Sequence, residues 1–159
     1  MESRKTNRGF SLIELLIVVT IIGIIASIAI PNMLASRRAA NEGSAQSSVR
    51  TISSCEASYR FTYGNGDYAD LPTLGNKTLT DSVLASGSKS GYSFVANPVV
   101  GQSQFWAYGL PLVTSGISQT GTRRFAITED GVLRGDQNLT APANEAAING
   151  SPGIPPLGN

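Results

Sequence analysis

A long apolar run near the start of the chain constrains the fold more than any other feature. Residues 10–30 read FSLIELLIVVTIIGIIASIAI, and Glu14 is the only charged residue between Gly9 and Arg37. As a helix, this run would be about 32 Å long, which is enough to cross a bilayer. A carboxylate near the start of such a helix is costly unless a positive group pairs with it. We therefore expect a membrane helix in which Glu14 meets a cation once helices pack together.

The composition argues against several classes of function. The only cysteine is Cys55, so an intrachain disulfide cannot form, and the absence of histidine removes the commonest general base and metal ligand. The net charge is +1, and no basic patch beyond the first nine residues indicates nucleic-acid binding. The 159 residues leave room for one membrane segment and one small domain. We expect a protein that is not an enzyme and holds no cofactor, with Cys55 as a small buried core residue.

Two ordinary interpretations of the N-terminus explain it incompletely. A secretory signal has a shorter apolar core and a small-x-small cleavage site, whereas Pro31 follows this run. A plain signal anchor explains the length and the basic start, but not Glu14 or the Gly9–Phe10 junction. Basic residues lie on both sides of the run, with a modest excess before it that favours a cytoplasmic N-terminus: Arg4, Lys5 and Arg8 before, Arg37 and Arg38 after.

Residues 8–32, RGFSLIELLIVVTIIGIIASIAIPN, resemble the class III signal of type IV pilins and of the pseudopilins of type II secretion. A short basic leader ends in Gly9, Phe10 follows, Glu14 comes four residues later, and the apolar segment reaches Pro31. The whole combination is a specific motif, whereas a single glutamate in an apolar run would be a weak one.

The resemblance implies processing and assembly. A prepilin peptidase of the inner membrane would cut between Gly9 and Phe10, remove residues 1–9 as a cytoplasmic leader, and methylate the new amino group of Phe10. The resulting cation is a natural partner for Glu14 on a neighbouring subunit, and we expect this pair to set the axial register. An inner-membrane platform protein, an assembly ATPase and minor pilins would be further partners.

The fold class expected from the pattern and the resemblance is α+β, a pilin-like fold in which a long N-terminal helix packs on a small antiparallel sheet. Residues 10–30 form the transmembrane and filament-core half of the helix, with kinks at Gly23 and Pro31, and residues 31–62 form an amphipathic half. Apolar residues in the second half recur at spacings near three and four: Leu34, Ala39, Ala45, Val49, Ile52, Cys55 and Tyr59.

The remaining chain predicts a loop, a sheet and a tail. Residues 63–90 are rich in glycine and polar residues and form the helix-to-sheet loop. Residues 91–135 form the sheet, with a turn at 129–131 in which Gly131 takes positive φ. Residues 136–159 form an irregular, partly mobile tail that only packing or a metal could hold. The face of the sheet expected against the helix carries Phe94, Trp106 or Tyr108, Phe125, Ile127 and Val132.

Two further kinds of site have weaker sequence support. Asp67 with Asp70, or Glu129 with Asp130, could contribute to a calcium site, as the resemblance to major pseudopilins allows, although no EF-hand spacing is present. Asn138 begins an Asn-x-Thr acceptor pattern for glycosylation, which is common by chance.

We therefore predict a structural subunit of a type IV pilus, with adhesion, motility or DNA uptake as roles of the filament. A pseudopilin of a type II secretion system is the first alternative, and a membrane-anchored periplasmic binding domain is the second. Before assembly the chain would lie in the bacterial inner membrane as a single-pass protein with a cytoplasmic N-terminus. After assembly it would form a homo-oligomeric helical filament, as an extracellular pilus or a periplasmic pseudopilus.

Overall fold

A computed structural model describes residues 9–99 and 101–157. The chain divides into two compact units, residues 1–36 and residues 37–159. The described part of the first unit is dominated by helix α1, which spans Leu12–Thr62 and therefore continues into the second unit. Residues 1–8 of the predicted leader, which include Arg4, Lys5 and Arg8, lie outside the described residues.

Helix α1 begins at Leu12, two residues later than predicted, and continues through Gly23 and Pro31 without interruption. Proline lacks an amide hydrogen, so at Pro31 the helix loses one backbone hydrogen bond, the one to the Ser27 carbonyl. The helix tolerates that loss, and a bend at either position stays a prediction.

The second half of α1 buries an apolar stripe in the second unit, as its periodicity predicted. Ala45, Val49 and Ile52 have no exposed surface, and Cys55 is buried with 7% exposure. The stripe is shorter than expected, because Ala39 is exposed. Phe61, near the end of the helix, is 86% exposed.

The described residues also form a five-stranded antiparallel sheet whose strand order follows the chain. One face of the sheet packs against the apolar stripe of α1, and their shared core contains Val49, Ile52, Phe94 and Phe125. This arrangement confirms the predicted α+β class. The strands are β1 (Ser88–Lys89), β2 (Tyr92–Val99), β3 (Gln104–Pro111), β4 (Arg124–Thr128) and β5 (Arg134–Asp136).

The facing of β3 differs by one residue from the prediction. Phe105 and Ala107 are buried in the core shared with the helix, while Trp106 and Tyr108 lie on the opposite face and stack at 5.6 Å. Gly109 explains why this set of β3 residues, and not the other, faces the core. It pairs with Phe94 of β2, and a Cβ there would come within 2.8 Å of the Phe94 ring. A larger residue at that position would push the ring out of the core.

Leu133, not Val132, fills the corresponding place beside β5. Leu133 is 5% exposed, whereas Val132 is 39% exposed. The prediction for Val132 is therefore wrong, because the strand begins later, at Arg134.

The segment expected to be an open loop, residues 63–90, carries two short helices as well as β1. Helix α2 spans Leu71–Asn76 and helix α3 spans Ser82–Ala85. Asp70 and Asp81 are the N-cap residues of these helices. Each side chain accepts a hydrogen bond from the amide three residues later, which satisfies a free donor of the first turn. Leu71, Leu74 and Leu84 bury these turns in the core.

The C-terminal segment forms a second layer on the far face of the sheet. Helix α4, Ala146–Asn149, brings Ile148 into a cluster with Ala126 and Ile154, and Trp106 and Tyr108 pack against it. The amide of Leu157 donates to the Leu133 carbonyl at 2.9 Å. The described part of the predicted irregular tail is therefore held by packing and backbone hydrogen bonds and carries one short helix, while its mobility stays a prediction.

Replacing Gly131 with valine should lower the free energy of unfolding by about 1–3 kcal/mol, because a β-branched residue resists positive φ. Gly131 has φ of +72°, as predicted, and open space surrounds a Cβ there, so strain rather than a clash sets the cost. Urea unfolding of the full chain in detergent, followed by Trp106 fluorescence, measures the change. Gly131→Asn should lose less, since asparagine tolerates this conformation; equal stability of the valine variant would contradict the argument.

Candidate functional site: the start of helix α1 and its exposed apolar surface

The predicted cleavage site lies just outside the helix. Gly9, Phe10 and Ser11 have no regular secondary structure and are exposed, Phe10 to 79%. The peptide bond between Gly9 and Phe10 is therefore not protected by helical hydrogen bonds. This geometry is compatible with proteolysis at that bond.

Glu14 has a local partner that the sequence reasoning missed. Its Oε2 accepts a hydrogen bond from the Ser11 amide at 2.8 Å, and the Ser11 hydroxyl accepts one from the Ile13 amide at 3.3 Å. The two residues form a capping box, which satisfies free donors at the first turn of the helix. The sequence signature of this box is Ser-x-x-Glu directly before an apolar run, which Ser11 and Glu14 match.

The capping box places the carboxylate where the predicted processing would create a cation. Glu14 is exposed, and its carboxylate lies against the amide of the residue next to Phe10. The positive end of the helix dipole favours a negative charge at this position. The carboxylate can therefore cap its own helix and still present an oxygen to a second chain.

The helix surface beyond Glu14 is apolar all around. Every large apolar side chain from Phe10 to Ile30 is between 49% and 83% exposed. Within the described residues α1 alone is long and apolar enough to cross a membrane. A helix with this surface needs lipid or other apolar helices around it.

A polar cluster, which we call the Glu42 clasp, ties the second half of α1 to the segment before β4. The Glu42 carboxylate accepts hydrogen bonds from the Thr122 amide at 2.8 Å and hydroxyl at 2.7 Å, and from Arg123 Nε at 2.9 Å. Burial alone would raise the pKa of Glu42, but these bonds and the Arg123 charge outweigh it and lower that pKa. No local sequence pattern indicates this contact, because it joins residues that lie 80 and 81 positions apart.

Glu56 is a second buried carboxyl, in a less favourable setting. It has no exposed surface; Oε2 accepts from the Ala69 amide at 3.0 Å, and Oε1 has no hydrogen-bond partner among the described residues. Burial, with a smaller contribution from the nearby Asp70 charge, raises the pKa of Glu56 to about 7. The prediction for its neighbour Cys55 is confirmed: it is buried, and its thiol donates to the Leu79 carbonyl.

The structure gives local roles to two of the four calcium candidates. Asp70 caps α2, and Asp130 accepts hydrogen bonds from Thr128 and Val132 while pairing with Arg134 at 2.7 Å. Asp67 and Glu129 are exposed. In the parts of the chain that the structure describes, no three acidic, cysteine or histidine side chains are grouped to hold a metal.

Asn138, the glycosylation candidate, is exposed, and its side-chain oxygen accepts from the Thr140 amide at 3.1 Å and hydroxyl at 2.8 Å. The acceptor pattern therefore lies on an accessible turn, and modification there stays a prediction.

One family model and several known proteins match parts of the chain. The family model described as the prokaryotic N-terminal methylation motif matches residues 4–30. The type IV wide pilus major component PilA4 of Thermus thermophilus is 33% identical over 97 residues, which cover 58% of this chain and 74% of that protein.

Two further relatives match over shorter shares of their length. The type IV major pilin protein PilA of Myxococcus xanthus is 43% identical over 76 residues, 45% of this chain and 34% of that protein. The type II secretion system core protein G of Escherichia coli is 30% identical over 99 residues, 58% of this chain and 65% of that protein. No solved structure matches the chain.

Proposed function

This chain belongs to the family of type IV pilins and type II secretion pseudopilins, and we propose that it is the structural subunit of a type IV pilus rather than an enzyme. The observation that carries the proposal is the exposed apolar surface of α1, with Glu14 as its single carboxylate at the helix start. In the membrane, lipid covers this surface; in a filament, the helices of other copies cover it. Burial of these side chains supplies the polymer with its cohesion.

Processing converts the start of the helix into an assembly group. A prepilin peptidase removes residues 1–9 and methylates Phe10, whose amine stays positive. The amine pairs with Glu14 of a neighbouring copy and sets the register of the incoming subunit. Before assembly the chain spans the inner membrane with its N-terminus in the cytoplasm; a platform protein, an ATPase and minor pilins then draw it into the filament.

Purified surface fibres test the proposal directly. Their subunits should begin at N-methylated Phe10, as measured by intact mass and N-terminal sequencing. Fibres of subunits that keep residues 1–9, or membrane-bound chains that never polymerise in an assembly-competent cell, would contradict it.

Glutamine in place of Glu14 separates the charge from the capping box. Glutamine still accepts the Ser11 amide, so the helix start is kept, but the charge that would meet the Phe10 amine is lost. Leaving a buried ammonium without its partner costs about 3–5 kcal/mol in comparable pairs. We expect Glu14→Gln to be cleaved normally and to yield at least tenfold fewer fibres, measured by immunoblot of sheared fibre fractions.

Ser11→Ala is the matched control, because it removes the other half of the capping box and leaves the charge. It should assemble close to wild type. If Ser11→Ala lowers the yield as much as Glu14→Gln does, or if Glu14→Gln assembles normally, Glu14 serves its own helix and the pairing is wrong.

A pseudopilin is the second candidate, supported by the 30% identity to core protein G. Deletion of the gene distinguishes the two: loss of long surface fibres supports the pilin, and loss of protein secretion without loss of fibres supports the pseudopilin. A membrane-anchored binding domain would tolerate replacement of residues 10–30 by an unrelated membrane helix, whereas a filament subunit would not.

A further inference from the structure

The connection between β3 and β4 exposes an apolar surface on a segment without charge. Residues 112–121, which we call the 112–121 loop, read LVTSGISQTG. Ile117 is 82% exposed, Leu112 54% and Val113 37%. Single exposed apolar residues are ordinary on protein surfaces, but three within six positions form a local patch.

Hydrogen bonds inside the 112–121 loop give it a defined shape. The Thr120 amide donates to the Val113 carbonyl at 3.0 Å, which closes the loop at its base. The Gln119 amide donates to the Gly116 carbonyl at 3.2 Å, and its side chain donates to the Thr114 carbonyl at 3.1 Å. Ile117 therefore stands at the tip of an ordered loop, and little ordering entropy is lost when it is covered.

Side chains from one short stretch of α1 are hydrogen-bonded to the 112–121 loop. Arg38 Nη1 donates to Gln119 Oε1 at 3.1 Å, and Asn41 Nδ2 donates to the Thr120 carbonyl at 2.9 Å. The Glu42 clasp follows directly at Thr122 and Arg123. Helix positions 38–42 thus carry the loop rigidly.

The composition of the loop favours a protein partner over a lipid surface. Segments that bind membranes at the interface combine large apolar residues with lysine, arginine or aromatic side chains. The 112–121 loop contains none of these and instead mixes aliphatic with small polar residues. Such a surface fits another protein surface, which can satisfy its hydroxyl and amide groups.

The helix that carries the loop identifies the partner. Positions 38–42 lie on the same continuous helix as the exposed apolar segment, only eight residues beyond its last member, Ile30. In the proposed filament that helix packs beside its copies, so the loop is carried into the same interface. We propose that the 112–121 loop docks onto a second copy of this chain through Ile117, Leu112 and Val113, an inference that rests on the proposed function.

Thiol accessibility tests the contact. Ile117→Cys is compared with Val83→Cys, which replaces a 53% exposed valine on α3, and wild type reports the background from buried Cys55. Maleimide labelling is timed in sheared fibres and in membranes of cells in which assembly is blocked. In fibres, the cysteine at position 117 should be labelled at least tenfold more slowly than the cysteine at position 83. In the membranes, the two positions should be labelled at the same rate.

Equal relative rates in fibres and membranes would overturn the inference. Slow labelling at position 117 in the membranes would overturn it as well, because lipid rather than a second copy would then cover the loop. Absence of fibres from the wild-type chain would instead contradict the proposed function itself.

The fibre yield gives a second measure. Ile117→Asp should lower it at least tenfold while the chain is still cleaved, whereas Val83→Asp should leave it near wild type. Equal losses in both variants would show a general effect of surface charge and would overturn the specific contact.

Discussion

Replacing Glu56 with glutamine should raise the free energy of unfolding relative to wild type, and the gain should be larger at pH 8 than at pH 4. The wild-type carboxyl is fully buried, with one oxygen unpaired among the described residues, and burial raises its pKa from the ordinary 4.5 to about 7. Ionising it in the folded state is therefore unfavourable. Glutamine has no such cost and still offers an oxygen to the Ala69 amide.

The sign of the pH dependence follows from proton binding. Between pH 4.5 and about 7 the folded state holds the Glu56 proton more tightly than the unfolded state. The contribution of Glu56 is thus fully present below pH 4.5 and is lost as the pH rises through the folded pKa. At 1.36 kcal/mol per pKa unit, the loss amounts to about 3 kcal/mol.

Urea unfolding in detergent at half-unit steps from pH 4 to pH 9, followed by Trp106 fluorescence, measures this dependence. The difference between wild type and Glu56→Gln is the informative quantity, because other titrating groups cancel in it. Asp67→Asn, at an exposed carboxylate on the segment that Glu56 contacts, is the control and should parallel wild type. A pH-independent difference for Glu56→Gln would show that the carboxyl is solvated in the folded protein.

Alanine in place of Glu42 should lower the free energy of unfolding by about 2–4 kcal/mol at neutral pH. The substitution removes the acceptor for Thr122 and the ion-pair partner of Arg123, which lies 2.9 Å away. The Glu42 side chain is only 9% exposed, so water screens the pair weakly. The pKa of Glu42 is lowered, so its contribution is present above the ordinary pKa and is lost as the pH falls through the folded value.

Glu42→Gln separates the two parts of the clasp, since it keeps an acceptor for Thr122 and removes the charge. It should lose less stability than Glu42→Ala, in the same urea assay at pH 7. An alanine variant within 0.5 kcal/mol of wild type, which is the scatter of ordinary surface substitutions, would mean that the clasp contributes nothing net.

The long helix and the strands could be predicted because their signals are local and repeated. An apolar run of 21 residues admits few alternatives to a helix, and the spacing of Val49, Ile52 and Cys55 marks its buried side. The predicted Gly131 turn also follows from neighbouring residues alone. In each case the sequence around the feature contains the physical cause.

The facing of β3 could not be predicted with the same certainty, since both its alternating sets contain aromatic residues. Phe105 and Trp106 are equally suited to burial, and the choice depends on the contact of Gly109 with Phe94 on another strand. The Glu42 clasp has the same character, because its partners are distant in the chain. The capping box of Ser11 and Glu14, in contrast, was readable from four consecutive residues.

Ile148 and Ile154 form a second layer that covers the far face of the sheet without any covalent cross-link. With Cys55 as the only thiol, this part of the fold reaches its final state with no oxidant and no disulfide isomerase. Its maturation is therefore indifferent to the redox poise of the compartment in which the chain emerges, and reducing agents leave it intact.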